Sequence, residues 1–215
     1  MTLSTHGIIL RTRPLTETSL IVHWLTPDLG RMATVAKGAR RPQSPFAGKL
    51  DLFYAADFSF SRSRRSDLHT LREVSLRETH GAIRQDILKL QQAGYAAAFI
   101  EQTTEVETPL AEIFELTRAF LKQLCGQPPR PQNIFTLELK LLRELGLEPD
   151  FEEMGLTPGM KKIVPALLAG DWNASGRLKL SSTQSGELRQ FLQSFLIFHL
   201  GRLPRGRSAA LAEPV

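Results

Sequence analysis

Residues 19–36 read Ser19-Leu-Ile-Val-His-Trp-Leu25, Thr26-Pro-Asp-Leu-Gly30 and Arg31-Met-Ala-Thr-Val-Ala36, which is a strand, a turn and a second strand. β-Branched and aromatic residues are frequent in the two outer pieces, and the piece between them is rich in turn formers. We predict further strands over Gly7–Arg13, Lys49–Ser61 and Leu68–Leu76. Five short strands at this spacing favour a small closed barrel over an open sheet, because closure removes unpaired strand edges.

After residue 81 the apolar residues recur every three or four positions, which is the period of a helix. Thr108-Pro109 is a typical helix start, since a capping hydroxyl precedes a proline at the first helical position. The predicted helices cover residues 82–102, 109–124, 134–145, 158–168 and 187–200, and residues 171–176 are predicted to form a turn. The fold class is therefore α+β, a five-stranded N-terminal β-barrel followed by an all-helical C-terminal domain.

A basic segment, defined here as residues 31–49, begins with the second strand of this stretch and continues into the residues that follow it. It contains five cations, and no acid lies between Leu29 and Leu50. Gly38, Pro42 and Gly48 make a long helix unfavourable there, so the charges are expected on a strand end and a loop. A run of charges is often only a solvated surface, and the run alone leaves that alternative open.

The net charge of the chain is unevenly distributed. Residues 1–81 carry 12 Lys or Arg against 7 Asp or Glu, whereas residues 82–215 carry 15 of each. The whole excess of +5 therefore lies in the predicted barrel. Such an asymmetry indicates a polyanionic partner, and nucleic acid is favoured over a membrane surface because no amphipathic basic helix is present.

Several classes of function lack their characteristic residues. The one cysteine, Cys125, excludes an internal disulfide and a cysteine-cluster zinc site, and the five histidines have no metal-ligand spacing. No phosphate-binding GxxxxGK[ST] motif occurs. We therefore predict no catalytic residues, no metal and no cofactor. Without a secretory signal or an apolar run of about 18 residues, we expect a cytoplasmic, nucleoid-associated protein without a membrane partner.

Particular segments carry a resemblance to a known family. Four of them resemble the N-terminal domain of the RecO family of bacterial recombination mediators: Arg13-Pro-Leu-Thr-Glu-Thr-Ser-Leu20, Leu25-Thr-Pro-Asp-Leu-Gly-Arg31, Val35-Ala-Lys-Gly-Ala-Arg40 and Ser44-Pro-Phe-Ala-Gly-Lys-Leu50. Residues 135–147 and the closing Phe198-His-Leu-Gly201 look like helices of the same family. In length the resemblance covers nearly the whole chain.

The resemblance implies an OB-fold DNA-binding domain over residues 1–80, a helical RecO-like domain over 81–203 and a flexible tail over 204–215. It implies binding of single- and double-stranded DNA and annealing of complementary strands in DNA repair of the RecF-pathway type. It also implies partnership with RecR and with the C-terminal tail of the single-strand-binding protein, so that RecA is loaded. Many members carry four cysteines as a zinc site, and this chain departs from them because it has only Cys125.

Candidate DNA-binding residues combine cations for phosphates with a flat side chain on which a base could stack. The resemblance favours Lys37 and Arg40. Phe46 is the stacking candidate, because the period-two pattern points Phe58 and Phe60 inward. The full set is Arg11, Arg13, Arg31, Lys37, Gly38, Arg40, Arg41, Phe46 and Lys49. A second cluster, Arg62, Arg64 and Arg65, could extend the DNA path or simply keep a hairpin tip solvated.

Four further cations are candidates for binding the acidic tail of the single-strand-binding protein: Arg118, Lys122, Lys140 and Arg143. The alternative is that they are helix-end cations that interact with the helix dipole. Two other functions stay open. An RNA-binding, translation-associated OB-fold protein would use the same charges, and a nuclease could use Asp51, Asp57 or Asp67 to bind a metal.

Overall fold

A computed structural model of the chain describes residues 2–149 and 156–213. It contains two compact units. The first consists of the residues up to Gly81 together with Thr104–Arg118, and the second of Ala82–Thr103 and the described residues from Ala119 onward. This grouping differs from the single limit near residue 80 that the hydrophobic pattern predicts. No described helix is both long and apolar enough to cross a bilayer.

Five strands close into a barrel in the first unit, as the sequence predicts. They are β1 (Thr2–Pro14), β2 (Leu20–Thr26), β3 (Gly30–Ala36), β4 (Ala55–Ser61) and β5 (Leu68–Glu78). The order around the barrel is β1-β2-β3-β5-β4, and only the β3–β5 pair is parallel. Closure leaves no open sheet edge, and the five-stranded barrel is that of the OB-fold.

The barrel core is aromatic. Trp24 stacks on Phe58 with ring centroids 4.1 Å apart, and its indole N–H donates to the Thr34 hydroxyl over 2.9 Å. Phe60 is also buried, so the period-two prediction for Phe58 and Phe60 is confirmed. The indole hydrogen bond allows Trp24 to be fully buried without an unsatisfied donor.

The fourth strand is shorter than the sequence suggests. It was predicted from Lys49, but it begins at Ala55. Phe53 has a φ of 63°, and its amide donates to the Ile9 carbonyl over 2.8 Å. Because a left-handed residue interrupts extended backbone, residues 49–54 form turns beside the irregular pairing that follows Ile9 in β1.

Residues 104–110 run along the barrel before the next helix begins. The Glu107 amide donates to the Arg31 carbonyl over 2.9 Å, and the Leu110 amide donates to the Pro27 carbonyl over 3.1 Å. The Leu110 carbonyl then accepts from Phe114, so helix α2 starts at Ala111 rather than at Pro109 as predicted. These long-range hydrogen bonds have no signal in the local sequence.

Helices dominate the second unit. A 3₁₀ turn at Gly81–Ile83 spans the unit limit, and the helices are α1 (Ile87–Thr103), α2 (Ala111–Gly126, which belongs to this unit from Ala119), α3 (Pro131–Glu144), α4 (Pro158–Ala169), α5 (Trp172–Arg177), α6 (Ser182–Leu200) and α7 (Arg207–Ala210). The five predicted helices are all present. The most buried is α3, whose Ile134, Leu137 and Leu141 are fully inaccessible to solvent.

Three predictions for this unit need correction. Residues 172–177 form a short helix rather than a turn, because the Asp171 carboxylate caps it by accepting from the Ala174 amide over 2.6 Å. Helix α6 begins at Ser182 rather than residue 187, because Ser181 and Gln184 form a capping box. The predicted flexible tail contains α7, in which Arg207 is only 4% exposed; residues 214 and 215 lie outside the described residues.

Candidate nucleic-acid interface

One group of predicted cations lies directly after β3. The chain turns there through hydrogen bonds from the Ala39 amide to the Ala36 carbonyl and from the Arg41 amide to the Gly38 carbonyl. Gly38 has a φ of +69°, a left-handed conformation that glycine adopts without a steric penalty. Lys37, Arg40 and Arg41 are all exposed. A cleft of about 570 Å³ is lined by Lys37, Gly38, Arg41 and residues 42–45.

This turn is held against the loop between β1 and β2. The Arg40 amide donates to the Thr18 carbonyl over 2.9 Å, and the Arg40 guanidinium donates to the Thr16 carbonyl over 3.3 Å. In OB-fold proteins the β1–β2 loop and the outer face of β2 and β3 form the usual ligand-binding surface. The favoured cations, Lys37 and Arg40, therefore lie beside the part of the fold where a nucleic acid is expected.

A second group lies on the outer face of β1, β2 and β3. Arg11 pairs with His23 across β1 and β2, and His23 pairs with Ala33 across β2 and β3. A nitrogen of the Arg13 guanidinium lies 3.3 Å from His23 Nε2. Burial, followed by the positive charges of Arg11, Arg13 and Arg31, lowers the pKa of His23 to about 4. Apart from burial, the three arginine charges contribute to this shift, so this face is positively charged around His23.

Two of the predicted DNA-binding cations, Arg31 and Lys49, have different surroundings from the others. The Arg31 Nε donates to the Thr104 hydroxyl over 2.7 Å, and the same guanidinium donates to the Thr104 carbonyl, so this side chain anchors residue 104. Lys49 lines another cleft, of about 680 Å³, together with Asp57 and Glu73. The basic segment thus lines two clefts, one with Lys37 and Arg41 and the other with Lys49.

Phe46 is not an exposed stacking platform, contrary to the sequence-based assignment. It is 7% exposed and packs into the barrel core with Trp24 and Phe58. Turns surround it, with hydrogen bonds from the Ala47 amide to Ser44 and from the Lys49 amide to Phe46. Burial of this large apolar side chain is more favourable than exposure by roughly 1.5–3 kcal/mol.

The second arginine cluster lies on the β4–β5 hairpin tip. The Arg62 Nη2 lies 2.5 Å from a Glu107 carboxylate oxygen, while Arg64 and Arg65 are exposed. The other Glu107 oxygen lies 2.9 Å from His69 Nε2, and His69 Nδ1 accepts from the Ser63 amide over 3.3 Å. The tip is thus held by a network in which Arg62 has a structural partner.

Two residues with a part in these groups were not predicted from the sequence: His23 on the outer face of the barrel and Glu107 at the hairpin tip. His23 could have been found from strand alternation, because Val22 and Trp24 face inward and the residue between them must face outward. Glu107 had no such signal, since it lies 38 residues from His69 and 45 from Arg62 in the chain.

The four candidate peptide-binding cations lie on two helices, Arg118 and Lys122 on α2 and Lys140 and Arg143 on α3. Lys140 Nζ donates to the carbonyls of Leu168 and Gly170, over 2.7 and 3.1 Å, and thereby caps the end of α4. Burial, followed by the charge of Arg143, lowers the pKa of Lys140. Arg143 lies in the last turn of α3, Arg118 pairs with Glu115 over 2.5 Å, and Lys122 is exposed on α2.

Within the described residues, no three histidine, cysteine, aspartate or glutamate side chains form a group able to hold a metal. Asp51, Asp57 and Asp67 are therefore not brought together. Asp57 instead pairs with Arg77 over 2.7 Å.

The closed barrel and the cations around its β1–β3 face define an OB-fold protein, a class that binds oligonucleotides and oligosaccharides. The model of the family domain "Recombination protein O N terminal" matches residues 1–80, and that of "Recombination protein O C terminal" matches residues 84–155. The chain belongs to the RecO family of DNA repair proteins.

Individual relatives agree with this assignment. The DNA repair protein RecO of Anaeromyxobacter sp. (strain K) is 30% identical over 231 residues, covering 91% of each chain. The DNA repair protein RecO of Bacillus subtilis (strain 168) is 31% identical over 144 residues, which is 67% of this chain and 56% of the relative. That of Desulfatibacillum aliphaticivorans is 28% identical over 241 residues, covering 94% of this chain and 93% of the relative.

Proposed function

We propose that this protein binds DNA through the cations around the β1–β3 face and anneals complementary strands as a non-enzymatic recombination mediator. The observation that carries the proposal is the grouping of exposed Lys37, Arg40 and Arg41 next to the β1–β2 loop. Arg11 and Arg13 lie on the adjoining strand β1. Together these five side chains can neutralise phosphates without sequence preference.

The burial of the aromatic residues supports annealing in particular. Trp24, Phe46, Phe58 and Phe60 are each less than 10% exposed, so none of these four offers a ring on which a base could stack. Binding would then rest on phosphate contacts, which leave the base edges free to pair. Neutralised phosphates also repel a second strand less strongly. A surface of this kind favours pairing of two strands over sequestration of one.

Fluorescence-detected annealing of two complementary oligonucleotides tests this proposal. We expect Lys37→Glu with Arg40→Glu to abolish annealing. Lys37→Glu with Arg41→Glu is the sharper variant, because it leaves the Arg40–Thr16 hydrogen bond in place. The control, Lys162→Glu with Lys179→Glu, makes the same charge change at exposed sites of the helical unit. Annealing that stays normal in both barrel variants, with unchanged thermal unfolding, would refute the site.

Competition and cleavage assays test the other parts of the proposal. An equal-length single-stranded RNA should compete no better than DNA, and a strong RNA preference would favour the RNA-binding alternative. Labelled DNA incubated with Mg²⁺ or Mn²⁺ should keep its length. Shortening that disappears in Asp51→Asn would show nuclease activity.

The family membership supports the proposed partners: RecR, the tail of the single-strand-binding protein and, indirectly, RecA. For the tail we retain Lys122, Arg143 and Arg118 as candidate contacts, and Lys140 is less suitable because its ammonium group is engaged by carbonyls. Titration with an acidic peptide that ends in an apolar residue should show binding that weakens in Lys122→Glu and Arg143→Glu. Unchanged affinity for the peptide in both variants would mean that the peptide binds at another site.

A further inference from the structure

His23 occupies the middle of the basic outer face of the barrel. It lies on β2, where it pairs with Arg11 of β1 on one side and with Ala33 of β3 on the other. The charged groups around it are Arg11 and Arg13 from β1 and Arg31 from β3. Its side chain is partly buried. Because Ala33 is small, no bulky side chain stands opposite His23 on the β3 side.

The contact with Arg13 defines the protonation state of the ring. A guanidinium has only donors, so the Arg13 nitrogen 3.3 Å from His23 Nε2 requires a lone pair on that atom. The imidazole is therefore neutral in the free protein. Burial and the three arginines oppose its protonation, which is why its pKa falls to about 4.

A bound phosphate would oppose the effect of the arginine charges on His23, although not the effect of its burial. Its negative charge would offset Arg11 and Arg13, and its oxygens would accept a hydrogen bond from a protonated ring. We propose that His23 is a phosphate-contacting residue that takes up one proton from solvent when a nucleic-acid backbone lies across Arg11 and Arg13. The proton comes from solvent and forms an N–H bond at the ring nitrogen that carries the lone pair, and no other bond forms or breaks. The inference rests on the proposed DNA-binding function, and it means that one proton is taken up in the DNA-binding equilibrium.

The size of the effect follows from linkage. If the imidazole has its ordinary pKa of about 6.5 in the DNA complex, DNA binding takes up about 0.75 proton at pH 6. The affinity for DNA then increases about tenfold when the pH is lowered from 7.5 to 5.5. The sign is that binding strengthens as the pH falls, because the bound state holds the additional proton.

Calorimetric titration with an oligothymidylate measures this uptake. The titration is done at pH 6 in two buffers that differ in their ionisation enthalpy. If DNA binding takes up protons, the apparent binding enthalpy differs between the two buffers, and the difference gives the number of protons taken up. We expect His23→Gln to abolish the uptake and flatten the pH dependence, with affinity at pH 7.5 changed less than about twofold, since His23 is almost entirely neutral there in both states. His199→Gln, at an exposed position of α6, should leave the uptake unchanged.

Two measurements separate a contact from a structural role. Arg13→Gln should raise the pKa of His23 in the free protein and so reduce the proton uptake on DNA binding at pH 6, whereas a purely structural histidine would show no DNA-dependent uptake to reduce. NMR titration of the His23 ring in the unaltered protein, with and without oligothymidylate, should show a pKa increase on binding and does not depend on any variant folding. DNA binding without proton uptake and without a pKa change of His23 would overturn this inference alone. Absence of DNA binding would overturn the proposed function and this inference with it.

Discussion

At the scale of single residues, a buried ionic cluster in the helical unit joins Arg207, near the end of the described chain, to Glu138 of α3. Arg207 Nε and Nη2 donate to the two oxygens of the Glu138 carboxylate over 2.6 and 3.0 Å, and the Tyr95 hydroxyl donates to the same carboxylate over 2.5 Å. Burial, followed by the charge of Glu138, raises the pKa of Tyr95 well above its ordinary value. Glu138 is fully buried, so it depends on these partners.

The sequence could not reveal this cluster. Residues 202–207 contain three arginines, a leucine, a proline and a glycine in no periodic pattern, which is typical of a mobile end. The pairing of Arg207 with a carboxylate 69 residues earlier holds the segment in place, together with hydrogen bonds from Gln92 to the Ala210 carbonyl and from Arg189 to the Leu211 carbonyl. Sequence periodicity reports which residues face the core, but not which distant charge a single arginine will reach.

We expect Arg207→Met to lower the free energy of unfolding by about 3–5 kcal/mol, because it leaves Glu138 buried without its cation. Urea denaturation of the full chain measures the loss. Adding Glu138→Gln to that variant should restore part of the stability, since the unpaired charge is then removed. Arg205→Met, at an exposed position two residues earlier, is the matched control. A loss below about 1 kcal/mol in Arg207→Met would show that the ion pair contributes little.

At the scale of elements, the strap formed by residues 104–110 is tied to the hairpin tip between β4 and β5. Glu107 adopts a φ of 56°, which is unfavourable for a residue with a side chain, and its carboxylate contacts Arg62 and His69. Burial alone would raise the pKa of Glu107, but the hydrogen bonds from Arg62 and His69, together with the charge of Arg62, lower it overall. The strap and the tip therefore stabilise one another.

This interaction has a defined pH dependence. A carboxyl group whose pKa is lowered in the folded state contributes stability above its unfolded pKa of about 4.3, and that stability is lost as the pH falls through the lowered value. We expect Glu107→Gln to reduce the free energy of unfolding by about 1 kcal/mol at pH 6 and by progressively less toward pH 3. Urea midpoints across this range measure the difference. Glu105→Gln, at an exposed site on the same strap, should show no such trend. A constant difference from pH 6 to pH 3 would mean that the Glu107 charge is not involved.

At the scale of the whole molecule, the sequence alone predicts the features that depend on hydrophobic periodicity and on the distribution of charge. Period-two alternation predicted the barrel strands and the inward direction of Phe58 and Phe60, which the structure confirms. The charge asymmetry predicts that the barrel is the unit that meets a polyanion. Sequence-based prediction is wrong where tertiary contacts decide the position of a side chain. Phe46 in a polar loop is buried because turns direct it to the core, and Arg31 is a candidate phosphate ligand that instead holds Thr104. Of the seven cations predicted to bind DNA, the structure leaves five that we propose for phosphates: Arg11, Arg13, Lys37, Arg40 and Arg41.

That number sets the salt dependence of DNA binding. Five neutralised phosphates on a single strand give a slope of about −3.5 in a plot of log affinity against log salt concentration. Lys37→Gln with Arg41→Gln removes two of the contacts, so we expect its slope to be about −2.1. The control, Lys162→Gln with Lys179→Gln, lowers the net charge equally in the helical unit and should keep the original slope. Fluorescence anisotropy of a labelled oligothymidylate over a range of KCl concentrations provides the data. If the two double variants change the slope equally, binding follows the net charge of the chain and the five proposed cations do not form a local site.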